Sequence, residues 1–315
     1  MAPAQREQGG LQFIVPVACD MARDCSIQKY VDRAAGPERL DYHCGSLTTD
    51  GHRGTDLRLR RFQDLDRDVK ILAAAAGTVL RVRDTMPDIS IKQADVPLPP
   101  NKWAGNAVVI GHGDGWETQY SHLKRGSLRV RPGQSIQAGE ELGAIGLSGQ
   151  TEFPHFHFEV RHKGEVVDPF AADVRGGCGK RSRSLWTNAA AQRLAYRPTV
   201  LLHTGFVTSP TNIQANIQKL EPAGAMTNPD TLILWGNVSG AQSGDVETFH
   251  IVAPNGGLLV ARERPILLNS LVWVSYLGLN RPLGGWQTGI YTGTYRLTRN
   301  GVFVGEQAVS KYISE

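Results

Sequence analysis

A chain of 315 residues with 41% apolar and 20% charged side chains has the balance of a folded globular protein, which excludes a disordered or fibrous one. That length suits two domains, each long enough to bury a core of its own. The formal charge of +4 favours an anionic partner. The basic residues are nevertheless dispersed, apart from Lys180-Arg181-Ser182-Arg183, which reads as a solvated linker. No helix-turn-helix, zinc-finger or RNA-binding signature is present, so nucleic acid is not an expected partner. No stretch approaches the ~20 apolar residues that a membrane span needs.

Residues 1–50 read as an irregular, disulfide-bearing segment. The opening MAPAQREQGG has no apolar core and is not a signal peptide, so an exported protein implies a leader already removed. The run Phe13-Ile14-Val15-Pro16-Val17 follows, then Cys19, Cys25 and Cys44, with Cys178 far downstream. No C-x-x-C pair suggests a structural zinc site or a thioredoxin-like centre. Two disulfides in an oxidising compartment are the simplest account, and four reduced core thiols the alternative. The preferred pairing joins Cys19 to Cys25 and Cys44 to Cys178, tying the start of the next region to its end.

Residues 51–172 show short runs rich in β-branched and aliphatic residues, broken by Gly, Pro, Asn and Asp. Val69–Ala73, Gly77–Val82, Ala107–His112, Glu117–Tyr120 and Phe156–Val160 predict a compact antiparallel sheet. Pro97, Pro99 and Pro100 make 90–105 a loop, and a long loop beside a sheet often walls a groove. Residues 173–198 read as a linker with a possible short helix at 185–195. From 199 to 315 the strand pattern returns, with Asn300-Gly301 as a hairpin signal. The fold class is therefore mainly β, with an antiparallel-sheet domain followed by an immunoglobulin-like β-sandwich.

Two segments carry metal-ligand chemistry. In His52-Arg53-Gly54-Thr55-Asp56 the His and Asp lie four apart, and Gly54 lets the chain turn so that both face one ion. In Pro154-His155-Phe156-His157-Phe158-Glu159 the two histidines alternate along a strand and share a face, while Phe156 and Phe158 enter the opposite, buried layer. A catalytic zinc takes three such ligands and leaves the fourth position to water.

The stretch from His52 to Phe170 resembles the lysostaphin-type (LytM-like) peptidoglycan endopeptidase domain. The resemblance rests on HRGTD at 52–56, VKILAAAAGTV at 69–79, NAVVIGHGDGWETQYSHL at 106–123, VRPGQSIQAGEELGAIGLSG at 130–149, PHFHFEV at 154–160 and Val167-Asp168-Pro169. It implies one Zn2+ per chain held by His52, Asp56 and His157, with His122 and His155 as catalytic histidines that do not bind the metal. It also implies peptidoglycan as the partner and a periplasmic or secreted location. Every matched position holds the expected residue. Because some relatives have lost ligands and only regulate a separate cell-wall amidase, a non-catalytic regulator is the competing reading.

Glu152 and Phe153 stand where many relatives have a small turn, and with Trp103 they are candidates for the substrate groove. His112 reads as structural, and Asp114 and Glu159 as surface or turn residues that could orient a ligand. His43, His162, His203 and His250 read as ordinary surface or strand residues. Trp116 reads as core or turn packing, and Trp235, Trp273 and Trp286 as sandwich core. The C-terminal domain is open to binding cell wall or a protein partner.

Overall fold

A computed structural model describes residues 10–93, 97–173, 177–179, 182–219 and 224–315. Residues 1–9 of the segment expected to be irregular, and Lys180 and Arg181 of the basic cluster, lie outside the described residues. The fold is mainly β, and the chain divides into two compact units. One runs to Arg58 and resumes over Arg67–Tyr196; the other comprises Leu59–Asp66 and Arg197–Glu315.

The strands of the first unit are β1 (Cys25–Lys29), β2 (Thr55–Leu59), β3 (Lys70–Leu72), β4 (Gly77–Arg83), β5 (Asn106–Gly113), β6 (Trp116–Leu123), β7 (Ser135–Ile136), β8 (Glu141–Ala144), β9 (His155–His162) and β10 (Glu165–Val167). Eight form one sheet in the order β1-β2-β9-β6-β5-β4-β7, with β10 paired to β9, while β3 and β8 pair separately. Alternation along β9 splits the sheet into two faces. Phe156, Phe158 and Val160 are fully buried with Leu57, Tyr120, Val108 and Ile110. Phe13 and Trp186 close this apolar layer, both meeting the Phe158 ring with centroids 5.7 and 5.6 Å away. The opposite face of β9 carries His155, His157, Glu159 and Arg161.

The segment before His52 is more ordered than an irregular wrapping. It contributes β1 to the sheet edge. Disulfides join Cys19 to Cys25 and Cys44 to Cys178. A turn around Asp41 accepts hydrogen bonds from the backbone N–H groups of His43, Gly45 and Leu47 and from the Tyr196 hydroxyl. Arg33 donates to Asp168 at 3.1 Å, both side chains being buried. A buried charge pair that keeps both partners is tolerable, whereas removing one leaves an uncompensated charge. The stretch expected as a linker also joins this unit from Ser182 to Tyr196. Leu185 and Trp186 are buried, and the Phe13 N–H donates to the Leu185 carbonyl at 2.7 Å. Within it lies α1 (Asn188–Arg193), capped by the Thr187 side chain accepting from the Ala190 N–H at 3.2 Å.

The second unit holds β11 (Val200–Val207), α2 (Asn212–Lys219), β12 (Met226–Thr227), β13 (Thr231–Ala241), β14 (Asp245–Val252), β15 (Leu258–Pro265), β16 (Ser270–Asn280), β17 (Gly289–Arg299) and β18 (Val302–Ser314). They make a three-stranded sheet, β11-β13-β16, and a five-stranded sheet, β12-β18-β17-β14-β15. One core draws on both: Phe206, Leu232 and Leu234 meet Phe249, Tyr291, Tyr295 and Leu297. Trp286 is buried in that core and Trp273 packs against it. Asn300 and Gly301 take φ of 51° and 76° at the β17–β18 hairpin, the left-handed pair that a two-residue turn demands.

Candidate metal centre

The register of three strands assembles the site. β2 and β9 are antiparallel, with Asp56 directly opposite His157 and Arg58 opposite His155. On the other side of β9, Ser121 of β6 lies opposite His157. His122 follows in the left-handed region at φ 64°, which lifts its ring out of the strand's alternation. Its backbone is pinned on both sides: the N–H donates to the Ala104 carbonyl at 2.9 Å, and the carbonyl accepts from the Gly146 N–H at 3.0 Å.

The side chains of His52, Asp56 and His157 each offer a ligand atom, all within 4.8 Å of one another. Asp56 Oδ1 lies 3.0 Å from His52 Nε2 and 2.8 Å from His157 Nδ1. The far nitrogens are engaged elsewhere. His52 Nδ1–H donates to the Tyr30 carbonyl at 2.7 Å, which leaves Nε2 as the inward atom. His157 Nε2 faces Glu159 Oε2 at 3.7 Å, which leaves Nδ1 inward. An imidazole whose outer nitrogen points at a carbonyl or carboxylate is the usual support for a metal ligand. The donor set of two imidazoles and one carboxylate fits zinc with an open position.

His122 and His155 stand beside this trio, their ring centroids 4.7 Å apart. Both are held in one tautomer by backbone carbonyls. His122 Nδ1–H donates to the Ser148 carbonyl and His155 Nδ1–H to the Phe153 carbonyl, each at 2.8 Å. Their Nε2 atoms are therefore the ones left for chemistry, and that of His155 is 3.7 Å from Asp56 Oδ1. Burial, reinforced by the neighbouring histidines, pushes His122 well below the usual imidazole range. Burial likewise brings His155 down to about 4 against the pull of Asp56. Burial opposes charge on His157 too, yet hydrogen bonds and charge from Asp56 and Glu159 outweigh it and raise this imidazole to about 9. Asp56 is held well below the carboxylate range, since its histidine neighbours outweigh the cost of burial.

The other candidates disperse. The Glu152 carboxylate pairs with Lys92 at 2.8 Å, both side chains about half exposed. The Phe153 ring lies under the Arg58 guanidinium at 3.8 Å, while its carbonyl orients His155. Trp103 is 50% exposed and adjoins Ala104, whose carbonyl holds His122. His112 bridges the Ala76 carbonyl and the Thr118 hydroxyl at 2.8 Å each. Trp116 stacks on His162 with centroids 4.3 Å apart. Gly54 has a different purpose from the one expected. Its φ is not left-handed, but a Cβ there would come within 2.6 Å of the His157 ring and the Phe158 carbonyl.

Four contributors escape sequence reasoning. Three are backbone carbonyls, of Tyr30, Ser148 and Phe153, and no side-chain pattern announces a carbonyl. The fourth is Lys29, whose ammonium is 3.2 Å from Asp56 Oδ2. Glu159 is not the surface residue expected: it is buried, and Arg161 donates to it at 2.8 Å.

A paired His and Asp on β2 and the loop before it, with three histidines on β6 and β9, define a candidate metal-dependent hydrolase domain. Residues 50–169 match Peptidase family M23. Over 94 residues it is 33% identical to the cell division protein DipM of Caulobacter vibrioides, covering 29% of this chain and 15% of DipM. Over 72 residues it is 36% identical to the peptidoglycan DD-endopeptidase ShyA of Vibrio cholerae, covering 23% of this chain and 16% of ShyA. The chain thus spans only a small part of these relatives' length. A zinc-containing peptidase of Vibrio cholerae aligns in structure at 25% identity with a TM-score of 0.31, covering 47% of this chain and 40% of that one.

Proposed function

We propose that the chain is a zinc-dependent endopeptidase that hydrolyses peptide bonds in peptidoglycan stem peptides or cross-links. The observation that carries this reading is the convergence of His52, Asp56 and His157 beside two histidines in a fixed tautomer. The peptidase family match and the relatives named as peptidoglycan endopeptidases support the substrate class.

His52 Nε2, Asp56 Oδ1 and His157 Nδ1 would hold the ion. Zinc bound there lowers the pKa of a coordinated water and polarises a carbonyl. His155, neutral at physiological pH, takes a proton on Nε2 as general base. His122, whose Nδ1–H is fixed on the Ser148 carbonyl, presents Nε2 as an acceptor, a second group able to orient a water beside His155. Trp103, Glu152 and Phe153 are proposed as the substrate-groove residues. The competing reading, a regulator that activates a separate amidase, is disfavoured because the whole set of ligands and flanking histidines is present.

Activity at a cell-wall polymer agrees with a periplasmic or secreted location, and among the described residues no helix is long and apolar enough to cross a membrane. The second unit, read as an immunoglobulin-like sandwich, is proposed to bind cell wall or a protein partner. The test is metal removal. Chelation of the purified protein abolishes solubilisation of peptidoglycan sacculi, and one equivalent of zinc restores it. Unchanged solubilisation by protein free of metal refutes the reading.

A further inference from the structure

We infer that Lys29 is a positioning residue for the metal centre, holding the outer oxygen of Asp56 so that this ligand offers the ion a single oxygen. The inference rests on the zinc reading above. The two oxygens of Asp56 face different surroundings. Oδ1 is turned to His52 Nε2 and His157 Nδ1, at 3.0 and 2.8 Å. Oδ2 is turned to Lys29 Nζ at 3.2 Å. The Asp56 side chain is 3% exposed, so water has little access to compete for Oδ2, and Lys29 at 27% keeps only part of its side chain in solvent. A carboxylate free to rotate can take an ion with both oxygens and fill a position that a catalytic site keeps for water. An ammonium on Oδ2 prevents that.

The position of Lys29 in the chain supports a dedicated role. It is the last residue of β1, the edge strand beside β2, which carries Asp56. The next residue, Tyr30, supplies the carbonyl that fixes His52. Two consecutive residues thus support two different ligands, one through a side chain and one through a carbonyl. Tyr30 is in turn anchored: its N–H donates to the Leu47 carbonyl and its own carbonyl also accepts from the Thr48 hydroxyl, both at 2.8 Å. Cys25, at the other end of β1, is tied to Cys19. The segment ahead of the peptidase-family stretch therefore completes the metal centre.

The test uses the full chain with Lys29→Met, which keeps the aliphatic stem, and Lys29→Arg, which keeps the cation. Zinc affinity is read by competition with a chromogenic chelator, and coordination by the visible spectrum of the Co2+-substituted protein. Loss of a partner behind a metal ligand typically costs about 10–100-fold in affinity. Lys29→Met is expected to weaken zinc by that factor and to lower the cobalt absorption toward the weak bands of a five-coordinate ion. Lys29→Arg is expected to retain the four-coordinate spectrum. Wild-type affinity and spectrum in Lys29→Met overturn the inference while leaving the endopeptidase reading intact. A wild-type chain that binds neither metal overturns both.

Discussion

At the scale of single residues, the proposed site divides into groups assigned to bind the ion and groups assigned to move protons, and substitution separates them. His157→Ala and Asp56→Ala each remove a proposed ligand, so both zinc content and hydrolysis are expected to vanish together. His155→Ala removes only the proposed general base. It is expected to retain one zinc per chain while kcat falls by about 10²–10⁴-fold. Metal analysis beside a muropeptide-release assay distinguishes the two classes, and loss of zinc from His155→Ala would contradict the division. Gly54→Ala probes the space behind the trio. Its methyl group meets the His157 ring at 2.6 Å, and such overpacking costs about 1–3 kcal/mol. A lowered melting temperature with weaker zinc binding is the expected result, checked by calorimetry with and without metal.

At the scale of elements, the site depends on strand register more than on any one loop. Asp56 opposite His157, with Ser121 on the far side, puts the donors on one face and Phe156 and Phe158 on the other. Phe158 is fully buried between Phe13, Tyr120 and Trp186. Phe158→Ala is expected to destabilise the first unit by about 3–5 kcal/mol, read from denaturant unfolding. Much of this was legible in the sequence. The alternation His155-Phe156-His157-Phe158 states a face in so many letters, and His52 to Asp56 names a pair at usable spacing. What was not legible depends on long-range pairing. CSIQK carries no strong strand signal, so β1 and the role of Lys29 emerge only once the edge of β2 needs a partner. Glu159 looks like a solvated carboxylate until Arg161 and His157 are seen on either side of it. Glu152 and Phe153 stand next to the H-x-H motif in sequence, yet their side chains go to Lys92 and Arg58.

At the scale of the whole molecule, the segments outside the family match decide how the first unit is closed. Cys44 and Cys178 are 134 residues apart, and their bond ties the N-terminal segment to the end of the unit. Replacing both by Ala is expected to cost about 2–5 kcal/mol of stability, with a matching fall in melting temperature. A truncation that tests the second unit must spare Trp186, which packs on Phe13, Phe158 and Phe170. The central claim is that the five residues His52, Asp56, His122, His155 and His157 cleave peptidoglycan peptides with the aid of zinc. Mass spectrometry of muropeptides after digestion of purified sacculi tests it most directly. The zinc-loaded full chain is expected to cut stem peptides or convert cross-linked dimers to monomers, and His157→Ala to leave both untouched. An unchanged muropeptide profile with the zinc-loaded chain, or an equal one with His157→Ala, would contradict it.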